Sequence, residues 1–255
     1  MLINRTTKRF ELTNAGKLLL QNAEKILNIW DSCKLEITQL KDHIIEDIII
    51  SASTIPGSHI LPRYIADFRN KNPNTNFKIL INNSQKSLEN LKNDMADFAG
   101  IGSFMNYHEE DLDYIKIGED ELKFICSPNH ELLKHGKNLV NFREIIKYPF
   151  VWREKGSGMR NIFEKQFADY KELDIELEIN DNDSIISTVS ESNYISIMSA
   201  IMIDKAESAG LVKSLKVIDY PAIAKRPLYF VKLKNKQLSE LKKKFWNEIE
   251  SIIKK

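Results

Sequence analysis

The chain has 255 residues, and its 37 lysines and arginines nearly balance 36 aspartates and glutamates, so no overall field marks it as a nucleic-acid or membrane binder. Any contact with nucleic acid must be local. The two cysteines, Cys33 and Cys126, sit in dissimilar settings and read as buried thiols of a reducing cytoplasm; no apolar run is long enough to span a bilayer, and the amino terminus lacks a signal peptide's apolar core.

Residues 1–12 read MLINRTTKRFEL, with Arg5, Lys8 and Arg9 around two threonines and Phe10 and Leu12 alternating with Glu11. That pattern suits a two-stranded β-wing with a basic tip, too short to bury a core of its own. From Thr13 to Ile44 the apolar residues Leu19, Ala23, Ile26, Trp30, Cys33, Ile37, Leu40 and Ile44 alternate four and three apart, which is a coiled-coil seam. Thr13 offers a capping hydroxyl and no proline interrupts the run. The seam fits a dimer stalk, or a single amphipathic helix lying on its own domain; the basic piece before it and the globular unit after it favour the stalk.

From Asp47 the period changes. Residues 47–53 form a strand, 54–57 a turn, and 58–72 a helix ending before Pro73; 76–81 is a strand, 84–94 a helix and 98–101 a strand. Strands at 112–117 and 121–127 lead into a second round: a helix at 141–147, a strand at 149–152, a loop at 153–160 opening a helix to about Tyr170, and a strand at 174–179. A helix at 183–192, a strand at 194–198, a helix at 201–208, a strand at 226–233 and a closing helix at 239–253 complete the chain. Strand–helix alternation with short connections argues for open parallel α/β sheets, and so many strands divide more naturally into two lobes than one.

Ligands of such sheets bind where strands end against helix N-termini, whose free N–H groups favour anions. The loops that meet this description carry Ser53, Thr54 and Gly57, then Asn83 and Ser84, then Gly102, then Gly156, Ser157, Gly158 and Met159, and finally Asp183 and Ser184. Small hydroxyl and acidic residues at those positions also serve as ordinary helix caps. The expected ligand is a small, anionic effector.

At both ends of the stalk the residues resemble one family. LINR (2–5), the basic residues after it and LTNAGKLLL (12–20) resemble the end of the winged helix-turn-helix of LysR-type transcriptional regulators, where a Leu-Thr-x-x-Gly signature opens a linker helix. SASTIPG (51–57), RYIADFRNKNP (63–73), REKGSGMR (153–160) and KRPLYFV (225–231) resemble landmarks of that family's effector-binding domain, itself similar to periplasmic solute-binding proteins. Met159 stands where the family often has threonine, and Tyr194 where it has glycine.

The resemblance implies an α/β fold with a two-lobed, periplasmic-binding-protein-like effector domain behind a linker helix. It divides the chain into a wing remnant (1–12), a dimerisation helix (13–45), lobe I (46–120 with 226–255) and lobe II (121–225). It also implies a DNA-reading head upstream of Met1. From this chain alone, with Arg5, Lys8 and Arg9 limited to phosphate contacts, DNA affinity is therefore expected to be weak or lost.

Paired subunits, as a dimer or tetramer, are implied as well. The expected function is that of a cytoplasmic LysR-type regulator sensing an effector between its lobes. Its rivals are a transport solute-binding protein and a regulator fragment that pairs with relatives without reading DNA. His43, His59, His108, His130 and His135 form no His-Glu-x-x-His pattern, and phosphate-loop and nucleophile-elbow motifs are missing, so neither enzyme, metal nor cofactor is expected.

Overall fold

The structure, a computed structural model, describes residues 2–5, 10–38, 45–136, 139–220 and 224–254. Lys8, Arg9, Leu40 and Ile44 lie outside the described residues, as do the side chains of Arg5 and Ile37. Strands β1 (Ile3–Arg5) and β2 (Phe10–Leu12) pair antiparallel, Ile3 opposite Leu12. Helix α1 (Asn14–Thr38) follows.

The Leu-Thr-x-x-Gly signature has a physical basis in that junction. The Thr13 amide and hydroxyl both donate to the Leu2 carbonyl, at 3.0 and 3.2 Å, while the same hydroxyl accepts from the Gly16 amide at 3.0 Å. A Cβ on Gly16 would lie 2.0 Å from the Leu2 oxygen, so only glycine lets the wing's first strand lie against the helix.

Helix α1 is exposed all round: Leu19, Ile26 and Trp30 of the seam are exposed, Ile26 by 66% and Trp30 by 58%, and so are Leu20, Leu27 and Ile29 off it. Cys33, expected to be buried, is exposed on this helix, whereas Cys126 is buried in the sheet.

The first lobe starts with β3 (Glu46–Ser53) and continues through α2 (Leu61–Lys71), β4 (Thr75–Asn82), α3 (Ser84–Lys92) and β5 (Phe98–Ile101). β3 pairs in parallel with β4 and β5. The turn expected at 54–57 is instead a widened helical turn, Ile55–Ile60, running directly into α2. Pro56 sits in its first turn, where a missing N–H costs nothing, so it opens a helix here and does not break one.

β6 (Leu112–Cys126) is one strand where two were expected. Gly118, Glu119 and Asp120 look like a turn in sequence, but they lie inside a ladder opposite Leu228, Pro227 and Arg226. Beyond β6 come β7 (Leu139–Val140), α4 (Phe142–Ile145), β8 (Pro149–Arg153), α5 (Gly158–Gln166), β9 (Asp174–Ile179) and α6 (Asn182–Ser190). β10 (Ile195–Ser199), α7 (Ala200–Ser208), β11 (Lys213–Val217), β12 (Ala224–Leu233) and α8 (Glu240–Ile253) close the chain. Strands β7, of two residues, and β11, of five with two lysines, are absent from the sequence reading.

Hydrogen bonding joins the strands in the order β4-β3-β5-β12-β6-β10-β8-β9, with β11 on β6 and β7 on β11. β6 and β12 run antiparallel through the centre, with a bulge between Leu228 and Tyr229, and belong to both halves. On one side Phe68, Phe98, Phe230 and Phe245 centre a core closed by α2 and α8. On the other, Phe124, Phe150, Trp152, Phe163 and Phe167 centre a second core beneath α5. Two hydrophobic centres on a shared ribbon make a mixed α/β molecule of two lobes.

Candidate functional site

Between the lobes, strand ends and helix starts from both sides converge. Ser53 ends β3, Thr54 and Ile55 open the helical turn before α2, Asn82 ends β4, and Asn83 caps α3. From the second lobe come Arg153 at the end of β8, Ser157 to Met159 at the start of α5, Asn182 at the start of α6 and Ser199 at the end of β10. Together with Met202 and Arg226 they line an inner pocket with about 20 Å³ of free space, roughly one water's worth. It opens into an outer cleft of about 480 Å³ that adds Lys86, Glu154, Asp181 and Asp183.

The caps and the cleft share residues. Asn83 accepts from the Lys86 amide at 2.8 Å and Ser157 from the Arg160 amide, so both hold helix N-termini while facing the pocket. Thr54 makes no capping bond. At α6 the cap is Asp181, two residues before the expected Asp183, because its carboxylate takes both the amide and the hydroxyl of Ser184 at 2.8 and 2.7 Å. Those bonds hold the Asp181 carboxyl below its usual range.

Thus Ser53, Thr54, Asn83, Ser157, Gly158 and Met159 line the inner pocket and Asp183 the outer cleft. Ser84, Gly57, Gly102, Gly156 and Ser184 line neither the inner pocket nor the outer cleft. Gly57 lies under Ile81 and Ala52, and Gly102 under the Arg226 guanidinium. Ser84 is buried and accepts from the Gly102 amide at 3.2 Å, and the Gly156 carbonyl accepts from the Gln85 amide at 3.2 Å. His59 contacts the Met202 sulfur and is held below its usual range, chiefly by burial and then by Lys205.

Two buried guanidiniums dominate the electrostatics. Arg226 is 5% exposed; its Nε and Nη2 donate to one Asp120 oxygen at 2.9 and 2.8 Å, while Ser199 donates to the other at 2.7 Å. Its Nη1 makes no hydrogen bond among the described residues. Burial lowers the Arg226 guanidinium from its ordinary range against the pull of Asp120, and Arg153 lowers it further.

Arg153 donates through Nε and Nη2 to the two oxygens of its neighbour Glu154, at 2.8 and 3.2 Å, and through Nη1 to Asn182. Sequence reasoning missed both arginines. The available signal was a charged residue at the end of an otherwise apolar strand, in PFVWR and in the segment before PLYFV.

The lobes touch directly at this site. Asn83 donates to Glu154 at 3.2 Å and Ser103 to Asn161 at 2.8 Å. A Cβ on Gly158 would stand 2.3 Å from the Ser84 hydroxyl, so glycine there permits the close approach of α5 to α3.

Two α/β lobes meeting at a polar cleft with two buried arginines at its inner end define a small-molecule-binding module of the periplasmic-binding-protein type. A family model for the LysR substrate binding domain matches residues 45–252, and the chain belongs to the LysR family of transcriptional regulators. It is 33% identical over 255 residues to an uncharacterized HTH-type transcriptional regulator, MJ0300, of Methanocaldococcus jannaschii, covering 98% of this chain and 84% of that one. The fold matches the effector binding domain of QuiR in complex with shikimate, with TM-score 0.70, 22% identity and coverage of 82% of this chain and 97% of that one. It also matches CbnR, a LysR family transcriptional regulator, with TM-score 0.68, 15% identity and coverage of 96% of this chain and 83% of that one.

Proposed function

We propose that this regulator senses a small anionic effector held in the inner pocket between its lobes. The observation that carries the reading is the pair of buried arginines, Arg153 and Arg226, lining one small cavity, with one Arg226 nitrogen not hydrogen-bonded among the described residues. Helix N-termini with Asn83, Ser157 and Asn182 at their starts add partial positive charge, and Ser53 and Thr54 add hydroxyls. An anion bearing carboxylate or phosphate oxygens meets forked donors there. The guanidiniums and caps are held in place by hydrogen bonds, which suits the binding of an anion.

Only an effector with different affinities for two arrangements of the subunits can act as a signal. The exposed seam of α1 supports pairing of those subunits as a dimer or tetramer, in the cytoplasm where DNA is met. Arg5, Lys8 and Arg9 on the wing then give weak, salt-sensitive phosphate contacts. The proposed division keeps 1–12 as wing, 13–45 as linker, 46–120 with 226–255 as lobe I and 121–225 as lobe II.

Calorimetric titration with shikimate, inorganic phosphate and small dicarboxylates tests the pocket. Thr54→Ala and Ser157→Ala each weaken binding of the responding anion about tenfold, the loss of one buried hydrogen bond. Unchanged affinity in both variants removes the pocket assignment.

A further inference from the structure

The Glu154 carboxylate meets Arg153 as an external carboxylate would, with its two oxygens on two nitrogens of the guanidinium. The same Oε1 that takes Arg153 Nη2 also accepts from Asn83 of the opposite lobe at 3.2 Å. Glu154 lines the outer cleft but not the inner pocket, while Arg153, Asn83 and Asn182 line both. The carboxylate therefore lies at the mouth, between the open cleft and the small cavity where Arg226 waits.

An inner pocket with about 20 Å³ of free space admits no organic acid unless the lobes part or side chains move. The Asn83–Glu154 bond crosses the line of parting, alongside the Gln85–Gly156 and Ser103–Asn161 bonds.

We propose that Glu154 is a built-in competitor for the effector: its carboxylate occupies Arg153 and ties it to Asn83, and an anion enters by displacing it. This rests on the anionic reading of the cleft. Moving Glu154 aside frees Nε and Nη2 of Arg153 while the Asn182 bond still holds Nη1, so the guanidinium stays positioned as its partner changes. Displacement of a negative charge also sets a selection rule. A neutral ligand cannot replace the carboxylate without leaving a buried cation unpaired, whereas an anion can. The apparent affinity is then lowered by the fraction of molecules in which Glu154 holds the site.

Titration calorimetry with inorganic phosphate and with malonate, on the wild-type chain and on Glu154→Gln, Glu154→Ala and Arg153→Gln, tests this, with thermal midpoints confirming that each variant is folded. Both Glu154 variants are expected to bind the responding anion about tenfold more tightly than wild type. Glu154→Gln is isosteric and keeps an acceptor for Asn83, so it guards against loss of fold. A glutamate that merely braced Arg153 would give the opposite sign, and weaker or equal binding in both variants overturns the proposal. If wild type binds, Arg153→Gln loses binding and the Glu154 variants show no gain, the competitor role alone fails. If neither anion binds any of the four chains, the anionic reading of the cleft fails with it.

Discussion

Helices α1 and α8 carry the same kind of message, an apolar stripe at helical spacing, and deliver it to opposite places. On α8 the stripe Phe245, Trp246 and Ile249 is buried, with Phe245 edge-on to Phe68 at 5.0 Å and to Phe98 at 5.8 Å between ring centroids. On α1 Leu18, Leu19, Ile26, Leu27 and Trp30 stand exposed. Spacing tells which face a helix wants to cover but not what will cover it. For α8 the partner is a sheet in the same chain; for α1 the face is large enough to call for another chain.

Breaking each face should separate the two roles. The largest effect is expected from Phe245→Ala, which removes a fully buried ring from four aromatic neighbours. It costs about 3–5 kcal/mol in chemical denaturation while leaving subunit association of the folded fraction unchanged.

The double change Ile26→Glu with Trp30→Glu should do the reverse. Sedimentation would show the oligomer's dissociation constant raised by about a hundredfold, with the thermal midpoint of the lobes held at the wild-type value. A lobe midpoint that fell with it would mean that α1 packs on its own chain after all.

The smallest effect sharpens the same contrast without altering the protein. Burial pushes the Cys126 thiol up to about 12, so alkylation at neutral pH should reach it only after unfolding. Cys33, exposed on α1, should be labelled in the native chain and increasingly protected as protein concentration rises.

The same limit explains which parts of the molecule were legible. Strands and helices of both lobes follow from local period and caps, and family landmarks place their order. Wherever a residue's role is set by a distant partner, local reading goes astray. Gly118-Glu119-Asp120 resembles a turn because the residues that keep it in a strand, Arg226 and Ser199, are 106 and 79 positions away. Thr54-Ile-Pro-Gly resembles a turn for its proline and glycine, yet Pro56 opens a helix and Gly57 lies under Ile81 and Ala52.

For the site, the loops were visible as helix starts, and Ser53, Thr54, Asn83, Ser157, Gly158 and Met159 do meet around one pocket. Arg153 and Arg226 were not visible, because a charge buried by tertiary structure looks in sequence like any surface charge.

The paired strands β6 and β12 carry ten ladder pairs, from Leu122–Ala224 to Leu112–Leu233, with the Asp120–Arg226 ion pair embedded among them. Such a ribbon resists stretching and shear, since either breaks the ladder, but it tolerates torsion, and its bulge at Leu228 and Tyr229 is where twist concentrates. Torsion about this ribbon is therefore expected to cost less than sliding, because sliding breaks the ladder. On the proposed reading, an occupied cleft would hand the neighbouring subunit a change of angle.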